Sequence, residues 1–535
     1  MAPPEPLVVE GPTGASRARE GLTTVTRGTL VLLIGTLGYI IENFVARVLL
    51  VRVLSQADWS AFSLGLTASG FLAAFGSLGI GSAIARTLPY AATSEERRQM
   101  IRTAAVVVAP AAAVVAVILV LLAQLAPNHA VTGLPVTLEF LGVAAAFSIL
   151  CGLIAAVFQG FEDVSANAYF VQIINPLLFL VFLAGAYGVE GFHLSYLSAL
   201  LAYVVAAVST LGALLVYARI RLPRVLPAGP RPDGLSYRLL WFALPLFVVA
   251  VLSYLTQNAD TLILGYFHAG QVGQYTASLS LARLLQLGIS SLGYIFLPVT
   301  TRFVRQKDTE AVRITYTTAT KWTVLTSLPF FLLFFFLPTR SMAFVYGSNY
   351  AIDAMTLQIV VAGSFLSTLV GPSVQGQVAY GRTSFLLLNT LAAAAADIVL
   401  AVLLVPTYGL LGAAVAWAVA NALLPVLSAM ELAVLEGVHP FRPHYLVPLT
   451  LTVIPLGTVF LLVPLHLPLF ALPLLGLGVG ALYGLVVWAS GSIDEGDRML
   501  VEVIETWIGR RLPLVHRFGS GRSRSLRPGA PPGGE

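Results

Sequence analysis

The sequence predicts an all-α integral membrane protein of about fourteen transmembrane helices. It reads as two parallel six-helix repeats, an N-lobe and a C-lobe, plus two extra C-terminal helices. Three observations predict this. Of 535 residues, 57% are hydrophobic and only 10% are charged, against about 25% charged in a soluble domain. Apolar runs long enough to cross a bilayer, which takes ~20 residues, recur along the whole chain. Short motifs recur at a nearly constant offset.

The elements follow in order. Residues 1–26 are rich in Pro, Gly and Ala, with mixed charge. They lack the apolar core and cleavage site of a signal peptide and are expected to form a disordered cytoplasmic tail. Apolar runs at 27–51, 60–85, 101–126, 136–160, 165–187 and 193–219 make the N-lobe, residues 27–220. An arginine-rich cytoplasmic linker covers 221–237. Runs at 238–265, 272–301, 317–345, 352–378, 383–405 and 409–435 make the C-lobe, residues 238–437. Two Pro-rich runs, 443–465 and 468–490, supply helices 13 and 14 within 438–491. Residues 492–535 form a cytoplasmic C-terminal segment, expected to be disordered after about 515, where GSGRSRSLRPGAPPGGE is of low complexity. Prolines 176, 245, 298 and 425 fall inside spans and are candidate bending points.

Loop charges orient the spans. The second loop reads RTLPYAATSEERRQMIR, the sixth holds Arg219, Arg221, Arg224, Arg231 and Arg238, and the eighth reads RFVRQKDTEAVR. The odd-numbered loops carry few charges, chiefly Asp58, Glu190, Arg340 and Asp353. Basic loops stay in the cytoplasm. The expected location is therefore the plasma membrane, multi-pass, with both termini cytoplasmic.

The repeat is legible in four places. SLG occurs at 77–79 and 291–293, 214 residues apart. Gln159-Gly160 returns as Gln375-Gly376, 216 residues on. YGVEG at 187–191 returns as YGLLG at 408–412, an offset of 221. ENFVARVLLVRVLSQADWSAFSL shares its frame with QNADTLILGYFHAGQVGQYTASL, 215 residues later. An even number of helices per copy makes the repeat parallel, about an axis along the membrane normal. Substrate sites form between such halves.

Enzyme chemistry has no foothold. There is no Walker A, HExxH, CxxC or GxSxG motif, and no expected loop exceeds about 20 residues. No catalytic residue, metal site or cofactor is expected. The single cysteine, Cys151, allows no disulfide within the chain. The net charge of +5 is mild and predicts no nucleic-acid partner.

Four segments resemble polysaccharide flippases of the Wzx type, in the MOP superfamily. They are RVLSQADWSAFSL (52–64), SLGIGSAIAR (77–86), NADTLILGYFHAGQVGQYTAS (258–278) and VPTYGLLGAAVAWAVAN (405–421). The likeness covers roughly residues 27–440. Ser60 stands where the family pattern has a glycine, which the second copy keeps as Gly273. The resemblance implies a monomer embedded in membrane lipids. It would move a polyprenyl- or dolichyl-linked oligosaccharide across the bilayer by alternating access, the headgroup passing between the lobes. Two alternatives remain: a cation-coupled MATE-like exporter of small amphipathic molecules, and a membrane enzyme acting on lipid-linked sugars.

Intramembrane charge marks candidate residues, since such groups face the bundle interior or a wet cavity. A sugar on a phosphate or pyrophosphate is polar and anionic. Arginine suits it, because its planar fork can pair two phosphate oxygens. Arg283 lies mid-span and is the leading cavity candidate, with an ion pair as its structural alternative. Arg47, Arg52 and Arg86 are further candidates, the last two well placed to snorkel. Asn43, Gln257 and Asn258 could bond sugar hydroxyls or merely other helices. Asp260, Glu42 and Asp397 are candidates for coupling to protons or Na⁺, or for pairing between lobes. Asp260 is expected to find Arg47 or Arg283.

Overall fold

The computed structural model describes residues 38–125, 131–163, 165–191, 193–225, 235–350, 354–462, 468, 471–492 and 497. Among them every regular element is helical, as backbone in lipid requires. The N-terminal half contains α1 (38–53), α2 (Gln56–Gly76), α3 (Ile80–Thr87), α4 (Ser94–Leu125), α5 (Leu134–Gly160), α6 (Asn175–Val189) and α7 (Tyr196–Val225). The C-terminal half contains α8 (Tyr237–His268), α9 (Val272–Leu284), α10 (Leu287–Arg305), α11 (Thr309–Phe336), α12 (Pro338–Tyr346), α13 (Ala354–Leu369), α14 (Ser373–Ala379), α15 (Thr383–Tyr408) and α16 (Leu410–Leu435). Then come α17 (Pro443–Leu462) and α18 (Ala471–Ala489), which pack on α11.

Among the described residues, twelve helices are long and apolar enough to cross a bilayer, or thirteen with one bent pair. The expected fourteen is not reached, for two reasons. Only residues 38–53 of the first span are described. The seventh span and the start of the eighth form 48 continuous helical residues, Tyr237–Leu284. A short 3-10 turn, Ala269–Gln271, joins them where His268 leaves helical dihedrals (φ −142°, ψ 56°).

Both halves pack alike. The pairs α4–α5, α5–α7, α6–α7 and α2–α5 have their counterparts in α11–α13, α13–α16, α15–α16 and α9–α13. Each SLG copy marks a break. In the first, Gly79 has φ +67° and separates α2 from α3. A Cβ there would lie 2.4 Å from the Phe247 nitrogen of α8, so only glycine fits. In the second, Leu287–Gly293 and Phe296–Arg305 of α10 meet at 45°. Pro245, Pro298 and Pro425 sit inside α8, α10 and α16. Pro176 lies inside the continuous helical span Asn167–Val189, just after its π-helical stretch Asn167–Ile174.

The expected linker at 221–237 starts later, since α7 continues to Val225 and Arg221 stacks over Tyr217. Residues 1–26 and most of 492–535 lie outside the described set. One residue of the latter is informative. Asp497 accepts from Lys321 of α11 (2.6 Å) and from the Trp322 indole (2.8 Å), and the ion pair is buried. Removing one partner of a buried pair costs about 3–5 kcal/mol. Asp497→Ala is expected to lower the thermal unfolding midpoint of the purified protein markedly. Lys321→Met/Asp497→Leu should recover most of the loss.

Candidate functional site

A cavity of about 370 Å³ lies among α8, α9, α10, α15 and α16, with Ile40 of α1 on its wall. Its polar groups are Thr256, Gln257, Arg283, Gln286, Ser290 and Asn421, and Trp417 adds an aromatic surface. Arg283 closes the last turn of α9, where the helix dipole favours a cation. The chain then breaks at Leu285–Gln286 before α10. The break turns Gln286 so that its Nε2 donates to Asn421 Oδ1 at 2.9 Å. Arg283 makes no ion pair and no hydrogen bond among the described residues, and it is exposed to the cavity.

The other expected residues divide. Gln257 also lines this cavity, while donating to the Ser253 carbonyl one turn back. Asn258 and Asn43 likewise donate to Tyr254 and Tyr39 carbonyls on their own helices. Arg47 reaches from α1 to Ser280 Oγ of α9 (3.0 Å) and lies close enough to Arg283 for their charges to interact. Arg52 does not reach the cavity. It donates to the Val345 carbonyl (2.7 Å) and the Phe344 carbonyl at the C-terminal end of α12. Arg86 is exposed, with its guanidinium 5.3 Å from the Phe242 ring. Glu42 is half-buried, and its Oε2 has no partner among the described residues.

Asp260 departs from expectation. It makes no ion pair or hydrogen bond with Arg47 or Arg283, although Arg283 lies close enough for the two charges to attract. Tyr275 of α9 donates to its Oδ2, leaving Oδ1 without a partner among the described residues. Asp397 of α15 lies close enough for the two charges to interact, and neither of its oxygens has a partner there. Both residues are fully buried. Two carboxyl groups held together out of water cannot both stay ionised unless a proton or a cation offsets them. Tyr275 follows Asp260 by fifteen residues, across a turn, so no helical spacing announces the pair.

The lobes touch along α2, α3 and α8, with the Arg238–Glu96 ion pair (3.3 Å) near the start of α8 and a second set of contacts at the face bearing the α1–α2 and α8–α9 turns. Trp59 Nε1 donates to the Gly273 carbonyl (2.9 Å), and the Gly273 N–H donates to Ser60 Oγ (3.0 Å). The Ser60 hydroxyl also lies 2.9 Å from the Gly270 carbonyl. Nearby, Thr276 Oγ1 donates to Ser63 Oγ at 3.1 Å. Ser60 is therefore a helical residue of α2 that touches its own repeat partner, and it forms no tight turn. A second cavity of about 400 Å³ lies in the N-terminal half. It is lined by Ser77, Ser82, Ser148, Gln159 and glycines 79, 81 and 152, and it shares α8 through Ala250. Ala250 and Gln257 are seven residues apart, on one face of α8 and about 10 Å apart along it.

Residues 25–304 match the family model described as polysaccharide biosynthesis protein. The chain belongs to this family. A search of curated proteins gives no match. Among solved structures, the lipid II flippase MurJ in an inward closed conformation matches with a TM-score of 0.65 and 14% identity. That match covers 86% of this chain and 99% of the flippase. An inward-facing multidrug resistance MATE family transporter of the MOP superfamily matches with a TM-score of 0.55 and 15% identity, over 77% and 99% of the two chains. At these identities the likeness shows the fold, that of MOP transporters. The chain is thus a multi-pass membrane protein of the polysaccharide biosynthesis family with the fold of these transporters.

Proposed function

We propose that the protein is a flippase for a polyprenyl-phosphate- or pyrophosphate-linked oligosaccharide, bound for surface polysaccharide or glycoconjugate assembly. The observation that carries this reading is Arg283: a cation with no protein partner among the described residues, in a polar cavity inside a membrane bundle. An unpaired intramembrane cation is costly. A phosphate oxygen pair would offset that cost through charge-assisted bonds. Arg47 adds positive charge nearby. The serine- and glycine-lined cavity further along α8 offers room for the rest of a glycan.

In this reading the clasped face is the outer face, both termini are cytoplasmic, and the plasma membrane is the site of action. The clasp holds the outer side shut while the headgroup enters from the cytoplasm. Asp260 and Asp397 would take a proton or Na⁺, binding of which biases α8 against α15. Asp397→Asn is then expected to remove the dependence of transfer on an ion gradient and to slow transfer about tenfold or more. It should leave stability intact or improved, since it removes a buried charge. Retained gradient dependence would detach the acidic pair from coupling.

The direct test is transfer in proteoliposomes. Polyprenyl-pyrophosphate-linked oligosaccharide on one leaflet is followed by its exposure to an impermeant lectin. Protein-dependent appearance on the other leaflet supports the reading. Equal exposure with and without protein rejects it.

A further inference from the structure

We propose that Gln286, Asn421 and Trp417 form a subsite that reads the uncharged sugar ring next to the phosphate. It rests on the flippase reading and names the part of the substrate that the C-terminal half selects. Trp417, Ala420, Asn421 and Leu424 fall at i, i+3, i+4 and i+7 of α16, and all four line the cavity that holds Arg283. They therefore present one continuous helix face to it.

The amide pair is half used. Asn421 Oδ1 accepts from Gln286 Nε2, and this bond fixes both side chains. Asn421 Nδ2 is buried with no partner among the described residues. An unmade hydrogen bond on a buried amide is destabilising, so a ligand acceptor here would be welcome. Gln286 Oε1 receives no hydrogen bond among the described residues and offers the complementary acceptor. One fixed donor beside one fixed acceptor matches adjacent sugar hydroxyls, or the N–H and C=O of an acetamido group. Trp417, largely buried, closes the cavity wall behind the amide pair and holds α16 in place there.

Position fixes which ring is read. Arg283 and Gln286 are three residues apart across the α9–α10 break, so the groups they hold must be neighbours in the substrate. With phosphate on Arg283, the first sugar falls to the amide pair. Among the described residues, Arg283 is the only charged one lining this cavity. A site built to bond polar groups rejects ligands that leave it unpaired far better than an apolar pocket rejects a wrong size.

The experiment measures binding to protein in nanodiscs by native mass spectrometry. The two probes are undecaprenyl pyrophosphate and undecaprenyl-pyrophosphoryl N-acetylglucosamine. Wild type should bind the sugar-bearing lipid about tenfold or more tightly. Asn421→Ala and Gln286→Ala should each bring that lipid down to the affinity of the sugar-free one, whose own binding stays unchanged and reports an intact fold. Asn421→Ser serves the same test should the alanine variant fail to fold. A sugar preference that survives in both positions overturns the subsite, as does a wild type without preference. A wild type that binds neither lipid overturns the flippase reading, and the subsite with it.

Discussion

Arg283→Ala is expected to reduce lipid transfer about 100-fold or more, while the protein still folds and inserts. Hydrogen bonds to a charged group are worth about 1.5–3 kcal/mol each, and a guanidinium can make two to one phosphate. Losing both accounts for the factor. Stability should hold, since Arg283 has no partner among the described residues for the substitution to strand. Arg283→Lys should restore charge without the fork and recover only part of the rate. Transfer in liposomes, read beside the elution profile and unfolding midpoint, checks all three outcomes. Full activity in Arg283→Ala would remove the cation from the pathway.

Gly273→Val should slow transfer by a comparable factor for a different reason. A Cβ at this position would lie 2.6 Å from Ser60 Oγ, 2.8 Å from Trp59 Cδ1 and 3.1 Å from the Ser60 nitrogen. The last is backbone, so the contact can be relieved only by moving α2 away from α9. Such overpacking costs about 1–3 kcal/mol, and here it falls on the clasped state alone. The two Gly273 bonds to Trp59 and Ser60 would open with it. A cysteine placed on this face should become more accessible to an impermeant thiol reagent. Ser60→Gly together with Gly273→Ala should recover part of the rate, because the two residues are coupled by contact. Unchanged accessibility in Gly273→Val would mean that the clasp is no gate.

Much of the fold is legible in the sequence, since a membrane bundle writes its architecture in hydropathy and loop charge. The repeat is legible too: the two SLG copies fall at breaks in both halves, and Ser60 touches Gly273. The described residues do not reach the count of fourteen, in part because a turn of three residues, Ala269–Gln271, joins two helices without a polar loop. The site is only partly legible. Arg283 stands out because a charge inside an apolar run needs a reason. Arg52 is placed by the sequence to snorkel, yet it ends on backbone carbonyls of α12, a partner nearly 300 residues away that no pattern reveals. Asp260 meets Tyr275 for the same reason. Gln286, Asn421 and Trp417 were missed as members of the cavity. The available signal was Asn421, an amide within the apolar segment 405–421.

The central claim is that this protein carries lipid-linked oligosaccharide between leaflets. The most direct measurement is the sidedness of that lipid in cells depleted of the protein. The account predicts accumulation facing the cytoplasm, reversed by wild type and not by Arg283→Ala. No accumulation, with a new sensitivity to amphipathic drugs instead, would contradict it and point to an exporter built around Asp260 and Asp397.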